Sequence, residues 1–216
     1  MIRMLMKQLL DRHYKRIRPF RFLYGWAVDR YRQTQCSKRA EEWRRCGFRG
    51  AKLDICGGRN PVRPGEFLNV DAVSLPKVDL VFDIRKCFPI DSGVIAEIFS
   101  AATLEHFRKP DVHHILREFY RVLQPGGRLR VSTPDIEAIA HGILEGEDID
   151  RLNQHLFGKF KSDETDDFDV HRWMYPAGKM MEALREIGFV KTERVSMDIS
   201  LHDPRLNYMI RAEKPT

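Results

Sequence analysis

Several things are missing from these 216 residues, and each absence removes a class of protein. No run approaches the roughly 18 consecutive apolar residues that a membrane-spanning helix needs. Met1–Leu10 is broken by Arg3, Lys7 and Gln8, and no small-residue cleavage site follows, so no secretory leader is expected and the default compartment is the cytoplasm. The four cysteines (Cys36, Cys46, Cys56, Cys87) are spaced 10, 10 and 31 apart with no CxxC pair. That excludes a zinc ribbon, and a chain of this length with its own core does not call for a disulfide framework. Cys56 and Cys87 are expected to be small buried hydrophobes. There is no internal repeat and no low-complexity segment. The long G-x-G-x-x-G turn is also absent, which argues against a dinucleotide pyrophosphate at a helix N-terminus.

What is present suits a globular protein: 43% hydrophobic and 31% charged residues. The net charge of +6 is unevenly spread. Residues 1–50 hold 14 Lys/Arg against four acids (Asp11, Asp29, Glu41, Glu42), while the rest hold 23 against 27. A basic arm (residues 1–49) thus precedes a mildly acidic body (residues 50–216), and the asymmetry points to an anionic partner surface for the arm. Within the arm, Ile2, Leu5, Leu9, Leu10, Tyr14 and Ile17 recur at helical spacing up to Pro19. An aromatic stretch follows (Phe20, Phe22, Tyr24, Trp26, Tyr31), then a short helix around Lys38–Cys46 that ends at Gly47.

From Ala51 the pattern becomes β–turn–α alternation. Strands are predicted at 51–56, 67–70, 78–82, 95–99, 128–132, 189–195 and 207–212, and amphipathic helices at 110–123 and 176–187. Pro110 opens the first of these helices and Pro125-Gly126-Gly127 stops it. The fold expected is a Rossmann-like, doubly wound α/β domain with a mostly parallel sheet and helices on both faces. A polar, irregular stretch at about 136–175 is expected as a lid-like insertion over the site.

Ligands of such sheets sit at the carboxyl ends of the strands, and four features coincide there. Gly57-Gly58, flanked by Asp54 and Cys56, follows strand one, where missing Cβ atoms let the backbone run close to a ligand. Asp71 ends strand two, at about the separation where an acid binds ribose hydroxyls. Asp83, followed by Ile84, ends strand three and could accept from an adenine amino group. Ser100-Ala101 after strand four leave room for the reacting end of a cofactor.

The runs Leu53-Asp54-Ile55-Cys56-Gly57-Gly58, Asn69-Val70-Asp71, Asp79-Leu80-Val81-Phe82-Asp83, Leu104-Glu105-His106 and Leu123-Gln124-Pro125-Gly126-Gly127 together resemble class I S-adenosylmethionine-dependent methyltransferases. Among these they are most similar to the broad type 11 group. The resemblance covers about residues 50–135 and resumes at Ala183–Phe189. It implies S-adenosylmethionine as cofactor, with Gly57 and Gly58 under the methionine moiety, Asp71 on the ribose, and Asp83-Ile84 beside the adenine. Two positions depart from it: Cys56 and Asn60 stand where the family usually carries glycine.

Displacement at a sulfonium methyl needs alignment and, for a hydroxyl acceptor, a base. His171 and His155 of the insertion are the candidates for that base, while His106 is read as structural and His113 and His114 as solvated. No metal site is expected, since the acidic loop around Asp163–Asp169 lacks alternate-residue oxygen spacing. Ser100-Ala101-Ala102-Thr103 replaces the Asn/Asp-Pro-Pro-aromatic run of base N-methylation, and the acidic body opposes a nucleic-acid groove. The acceptor expected is a small molecule, glycan or lipid-linked sugar. Two alternatives stay open: a binding module that lost turnover, and an RNA-modifying enzyme that grips with the arm.

Deleting residues 1–18 separates two readings of the arm. A membrane-surface helix predicts lost sedimentation with anionic liposomes at nearly unchanged cofactor affinity. A flap predicts a loosened cofactor and no lipid binding in either protein. A truncated protein that matches the full-length chain in both assays rules out both readings.

Overall fold

Alternation along the strands sets the architecture. The structure, a computed structural model, describes residues 18–158, 169–198 and 202–216. Seven strands are present: β1 Lys52–Ile55, β2 Leu68–Asp71, β3 Leu80–Val81, β4 Ile95–Ala101, β5 Leu123–Pro134, β6 Val190–Val195 and β7 Asn207–Glu213. They form one sheet in the order β3-β2-β1-β4-β5-β7-β6. The pairs from β3 through β5 are parallel, and β7 runs antiparallel to both β5 and β6. The helices are α1 Arg18–Arg45, α2 Lys109–Val122, α3 Ile136–Leu144, α4 Ile149–Phe157 and α5 Ala177–Ile187.

The main core gathers Leu53 and Ile55, Leu68 and Val70, Leu129 and Val131, and Tyr208, Ile210 and Ala212. Each set is spaced by two, so all point to one face. Val112, Ile115, Leu116 and Phe119 of α2 pack there, together with Met180 and Leu184 of α5 and Ala40 of α1. The intervening positions carry a smaller apolar group (Phe67, Phe99, Met209) and a charge ladder in which Arg130 pairs with Glu97 at 3.0 Å and stacks on Phe99. The Pro125-Gly126-Gly127 stop also has a local cause. It bulges out of the β4–β5 ladder between Ile95↔Leu123 and Glu97↔Arg128, and a Cβ on Gly127 would lie 2.8 Å from the Gln124 carbonyl oxygen.

Four expectations need correction. The short helix expected around Lys38–Cys46 is much longer, because α1 runs from Arg18 through the aromatic stretch to Arg45, with Pro19 near its described start, where a missing N–H costs little. The helix expected over Ile2–Ile17 lies outside the described residues. The stretch from 136 is not irregular: α3 and α4 each start on an aspartate N-cap, Asp135 accepting from the Glu137 and Ala138 amides and Asp148 from those of Asp150 and Arg151. Ile139, Leu152 and Leu206 form their own small core, and residues 159–168 lie outside the description. Cys87 is exposed rather than buried, because its neighbours Phe88 and Ile90 take the inward positions. His113 and His114 are half-buried rather than solvated, because α2 lies along the main core.

One ion pair pins α1 to the sheet. Arg39 donates from Nε to Asp79 at 3.1 Å and from Nη2 to the other oxygen of the same carboxylate, and Nη2 also reaches the Phe67 carbonyl at 2.7 Å. The Asp79 side chain is 1% exposed and also accepts from the Asn69 amide at 2.8 Å. Removing one partner of such a pair leaves a buried charge that costs about 3 kcal/mol or more. Arg39→Ala is therefore expected to lower denaturant stability by about 3 kcal/mol. A loss under about 1 kcal/mol would mean that this pair does not hold the arm helix in place.

Candidate functional site

The chain runs outward from β1 through β2 to β3, then returns to β4 on the other side of β1. This is a topological switch point, where the crevice at the strands' carboxyl ends receives ligands. An open cavity of ≈ 650 Å³ lies there, lined by Cys56 and Gly58 after β1, Asp71 after β2, Asp83 and Ile84 after β3, and Ala102 and Thr103 after β4. His106, Arg108 and Arg172 line it further out.

Two non-glycine residues at its mouth take left-handed backbone, Cys56 at φ 56° and Ala102 at φ 48°. Strain of this kind gathers at functional sites. Thr103 ties the two strand ends together, its hydroxyl lying 3.1 Å from both the Ile55 and the Ala101 carbonyl oxygens. Burial pushes the Cys56 thiol up, so it stays protonated and serves as packing rather than as a nucleophile.

Asp54 is not at the cavity. It is 2% exposed and turned under the glycine turn, where its Oδ2 accepts from the Val62 amide at 2.8 Å. Burial pushes its carboxyl up to about 6, against the opposing Val62 bond. A Cβ on Gly57 would lie 2.8 Å from that oxygen and 2.7 Å from Asn69 Oδ1, so only glycine fits. Asn69 in turn donates from Nδ2 to the Gly58 and Lys77 carbonyls, both at 2.9 Å. It clamps the turn in place, a role unseen in the sequence although Asn69-Val70-Asp71 was a recognised run.

Asp71 accepts from the Val73 amide at 3.0 Å, and its other oxygen would be 3.9 Å from a Cβ on Gly58. The carboxylate is thereby aimed along the glycine turn. Asp83 is gripped by Arg85 through three contacts of 2.8–3.2 Å, which holds its carboxyl below the usual range. Ser100 and Ala101 stop short of the cavity. Ser100 shares its face with Ile98 and is wholly buried, Ala101 packs with Phe67 and Phe99, and the strand runs to 101, so Ala102 is the first residue free to turn toward the opening.

The histidines are arranged differently from expectation. His106, read as structural, is the one that lines the cavity. His171 lies behind it, ring against ring at 4.9 Å, with its Nδ1 donating to the His155 carbonyl at 2.9 Å. His155 bonds its own helix through Nδ1 at the Arg151 carbonyl, 3.0 Å away. Neither His171 nor His155 lines the cavity. Burial, then His106, lowers His171 to about 4. Burial lowers His106 as well. Both rings are neutral at pH 7. Beside them Glu105 is 1% exposed and pushed up to about 8 by burial.

A parallel sheet with one antiparallel strand near its edge, and a cavity at the β1/β4 switch, define a Rossmann-like α/β domain with a ligand crevice. Residues 63–131 match the family described as Methyltransferase domain. The chain is 26% identical over 175 residues to 27-O-demethylrifamycin SV methyltransferase of Amycolatopsis mediterranei, an alignment covering 69% of this chain and 58% of that relative. A solved S-adenosylmethionine-dependent methyltransferase of Methanosarcina mazei superposes with a TM-score of 0.51 at 15% identity, covering 77% of this chain and 93% of that one. The complex of the Haloferax volcanii Trm112 methyltransferase activator with a methyltransferase gives 0.50 at 15%, covering 89% and 95%. Together these matches support a class I S-adenosylmethionine-dependent methyltransferase domain in this chain.

The Asp54 shift has a testable sign. A carboxyl raised from 3.8 unfolded to about 6 folded binds its proton more tightly in the native state. Its stabilising effect is complete below pH 4 and lost as pH rises through 6. Asp54→Asn keeps an oxygen for the Val62 amide and carries no charge to bury. Its stability relative to wild type should therefore rise between pH 4 and 6.5 by on the order of 2 kcal/mol and stay level above that. A difference that is flat across this range in parallel melts would remove the buried charge from the account.

Proposed function

We propose that this protein transfers a methyl group from S-adenosylmethionine to a hydroxyl of a small-molecule or glycan acceptor. One observation carries the reading: a single cavity has the glycine turn, Asp71 and Asp83 at one end and a neutral imidazole, His106, at the other. The first end suits an adenosine and its methionine chain, with the Asp71 carboxylate on the ribose and Ile84 against the adenine. Asp83 would accept from the adenine amino group with an oxygen it shares with Arg85. The second end is where the acceptor's hydroxyl would be activated. The sulfonium methyl would lie between them, and holding it in line with the acceptor oxygen supplies most of the rate.

The hydroxyl acceptor is supported by the A. mediterranei relative, whose name records an O-demethylated substrate. This chain spans 58% of that relative's length. His171 serves here as the group that orients His106 from behind, and His155 as its carbonyl anchor, rather than as separate bases. The arm, residues 1–49, is read as a flap over the cofactor, with residues 1–18 as its contact with an anionic membrane surface. Among the described residues no helix is long and apolar enough to cross a membrane.

Asp71 should matter more to cofactor affinity than any other acid. Charge-assisted bonds to two hydroxyls are worth on the order of 1.5–3 kcal/mol. Asp71→Ala is expected to weaken S-adenosylhomocysteine binding about tenfold or more while remaining folded. Calorimetry that returns the wild-type affinity for the folded variant would take Asp71 out of the site.

A further inference from the structure

Behind the cavity wall three potential ligand groups converge without an evident structural reason. One donor atom each from Glu105, His106 and His171 lies within 4.8 Å of the other two. Glu105 is 1% exposed, and its carboxyl oxygens make no well-formed hydrogen bond among the described residues, meeting only the Thr103 amide and its own amide at poor geometry. A buried carboxyl so weakly partnered is costly in folding, and natural cores rarely tolerate one without a use. The two imidazoles are meanwhile held from outside. His106 bonds the Val170 carbonyl through Nδ1 at 3.2 Å, and His171 the His155 carbonyl through Nδ1 at 2.9 Å. A backbone carbonyl on one ring nitrogen orients each ring, as in metal-binding histidines, with the Ala102 carbonyl also near His106 and the Leu156 carbonyl near His171.

The backbone around the cluster is braced as well. Glu105 gives its carbonyl to the Arg172 amide at 2.7 Å and the Trp173 amide at 3.2 Å, and Arg172 reaches the His106 carbonyl at 2.8 Å. The 3₁₀ turn Leu104–His106 is thereby locked to the strand-like segment carrying His171. Residues from two separate parts of the chain are brought together by a rigid frame, with a carboxyl and two imidazoles left over at its centre.

We infer that Glu105, His106 and His171 form a divalent-cation site, of the two-histidine, one-carboxylate type that Zn²⁺ and its neighbours accept. Ligand atoms around a tetrahedral zinc stand about 3.3 Å apart, so side-chain rotations that draw the donors in by about 1.5 Å close the set. Three protein ligands leave a coordination position free. Because His106 also lines the cavity, that position opens toward the acceptor end. This assignment deepens the methyl-transfer reading and rests on it for its purpose, though not for its existence. In that setting the cation binds the acceptor hydroxyl oxygen and lowers its pKa, and the proton leaves to water. The oxygen lone pair then forms the O–CH₃ bond as the C–S bond breaks, its electron pair remaining on sulfur to give neutral S-adenosylhomocysteine.

The test uses the full chain, stripped with a chelator, dialysed, and titrated with Co²⁺ while visible d–d absorption is followed. Zn²⁺ affinity is then measured by competition. Wild type should take up one cation per chain. Glu105→Gln, which keeps the side-chain shape, and His171→Ala should each bind at least about tenfold more weakly. Exposed His141→Ala should bind as wild type does. Melting curves identify which variants are folded, and one folded variant of the pair suffices. A wild-type protein with no stoichiometric uptake, or a folded Glu105 or His171 variant with undiminished affinity, overturns the site. Calorimetry of the stripped protein with S-adenosylhomocysteine keeps the two ideas apart: failure there removes the methyl-transfer reading and leaves the cation result standing.

Discussion

Asn69 Oδ1 and Asp54 Oδ2 occupy the space that any side chain at residue 57 would need, and the geometry of the cavity follows from that contact. With no Cβ in the way, the turn after β1 can lie on two buried polar side chains, one bonding the Gly58 carbonyl and the other the Val62 amide. The loop from 57 to 67 has no helix to stabilise it, so these bonds replace what a helix would supply. Asn69 also binds the Lys77 carbonyl, and its own amide bonds Asp79, which holds Arg39. The glycine turn, the approach to β3 and the arm helix are therefore coupled through one asparagine. A change at any of them should be felt at the edge where Asp71 stands.

The buried acids of the sheet differ in how their charge is handled. Asp79 has a guanidinium and an amide. Asp54 has one amide and rises to about 6. Glu105 has no well-formed hydrogen bond among the described residues and rises to about 8. From Asp79 through Asp54 to Glu105, the well-formed partners of the carboxylate fall away. Stability alone would favour the opposite, since an apolar residue at 105 would pack without penalty. The least compensated acid lies against two imidazoles, and that is where a function would repay the strain.

The elements that could be read from the sequence were those whose cause is local. The period-two runs, the Pro110 start and the Pro-Gly-Gly stop all predicted elements within a few residues of those observed. Asp71, the last residue of β2, and Asp83, two residues beyond β3, reach the cavity because residues at a parallel strand's carboxyl end face the crevice whatever their neighbours do. What was missed depends on depth and alternation. Asp54 sits two residues before the strand's exit and points away under the turn, and Ser100 and Ala101 precede the exit by one residue more than expected. His171 could not be ranked against His106 from sequence, because which ring faces the cavity is decided by contacts 65 positions apart. The length of α1 was missed because Arg18–Arg45 carries almost no amphipathic period to signal a helix before Lys38.

Cys56 raised the possibility that the site had decayed, and the backbone bears on that argument. A glycine at this position would supply left-handed φ at no cost; Cys56 takes it anyway at 56°, at a penalty of about 1–2 kcal/mol. Decay would be expected to relax the conformation toward one that cysteine prefers, which would swing the turn and expose the oxygens of Asp54 and Asn69. Instead the surroundings hold it: the Cys56 amide bonds the Val70 carbonyl at 2.7 Å, Gly57 lies on two buried side chains, and the thiol packs against the main core. Ala102, directly across the switch point, carries the same strain at φ 48°. Two strained residues facing each other across one crevice, both kept by bonds behind them, mark the crevice as a candidate functional site. The substitution of cysteine for glycine changes what lines the crevice and leaves its backbone path intact.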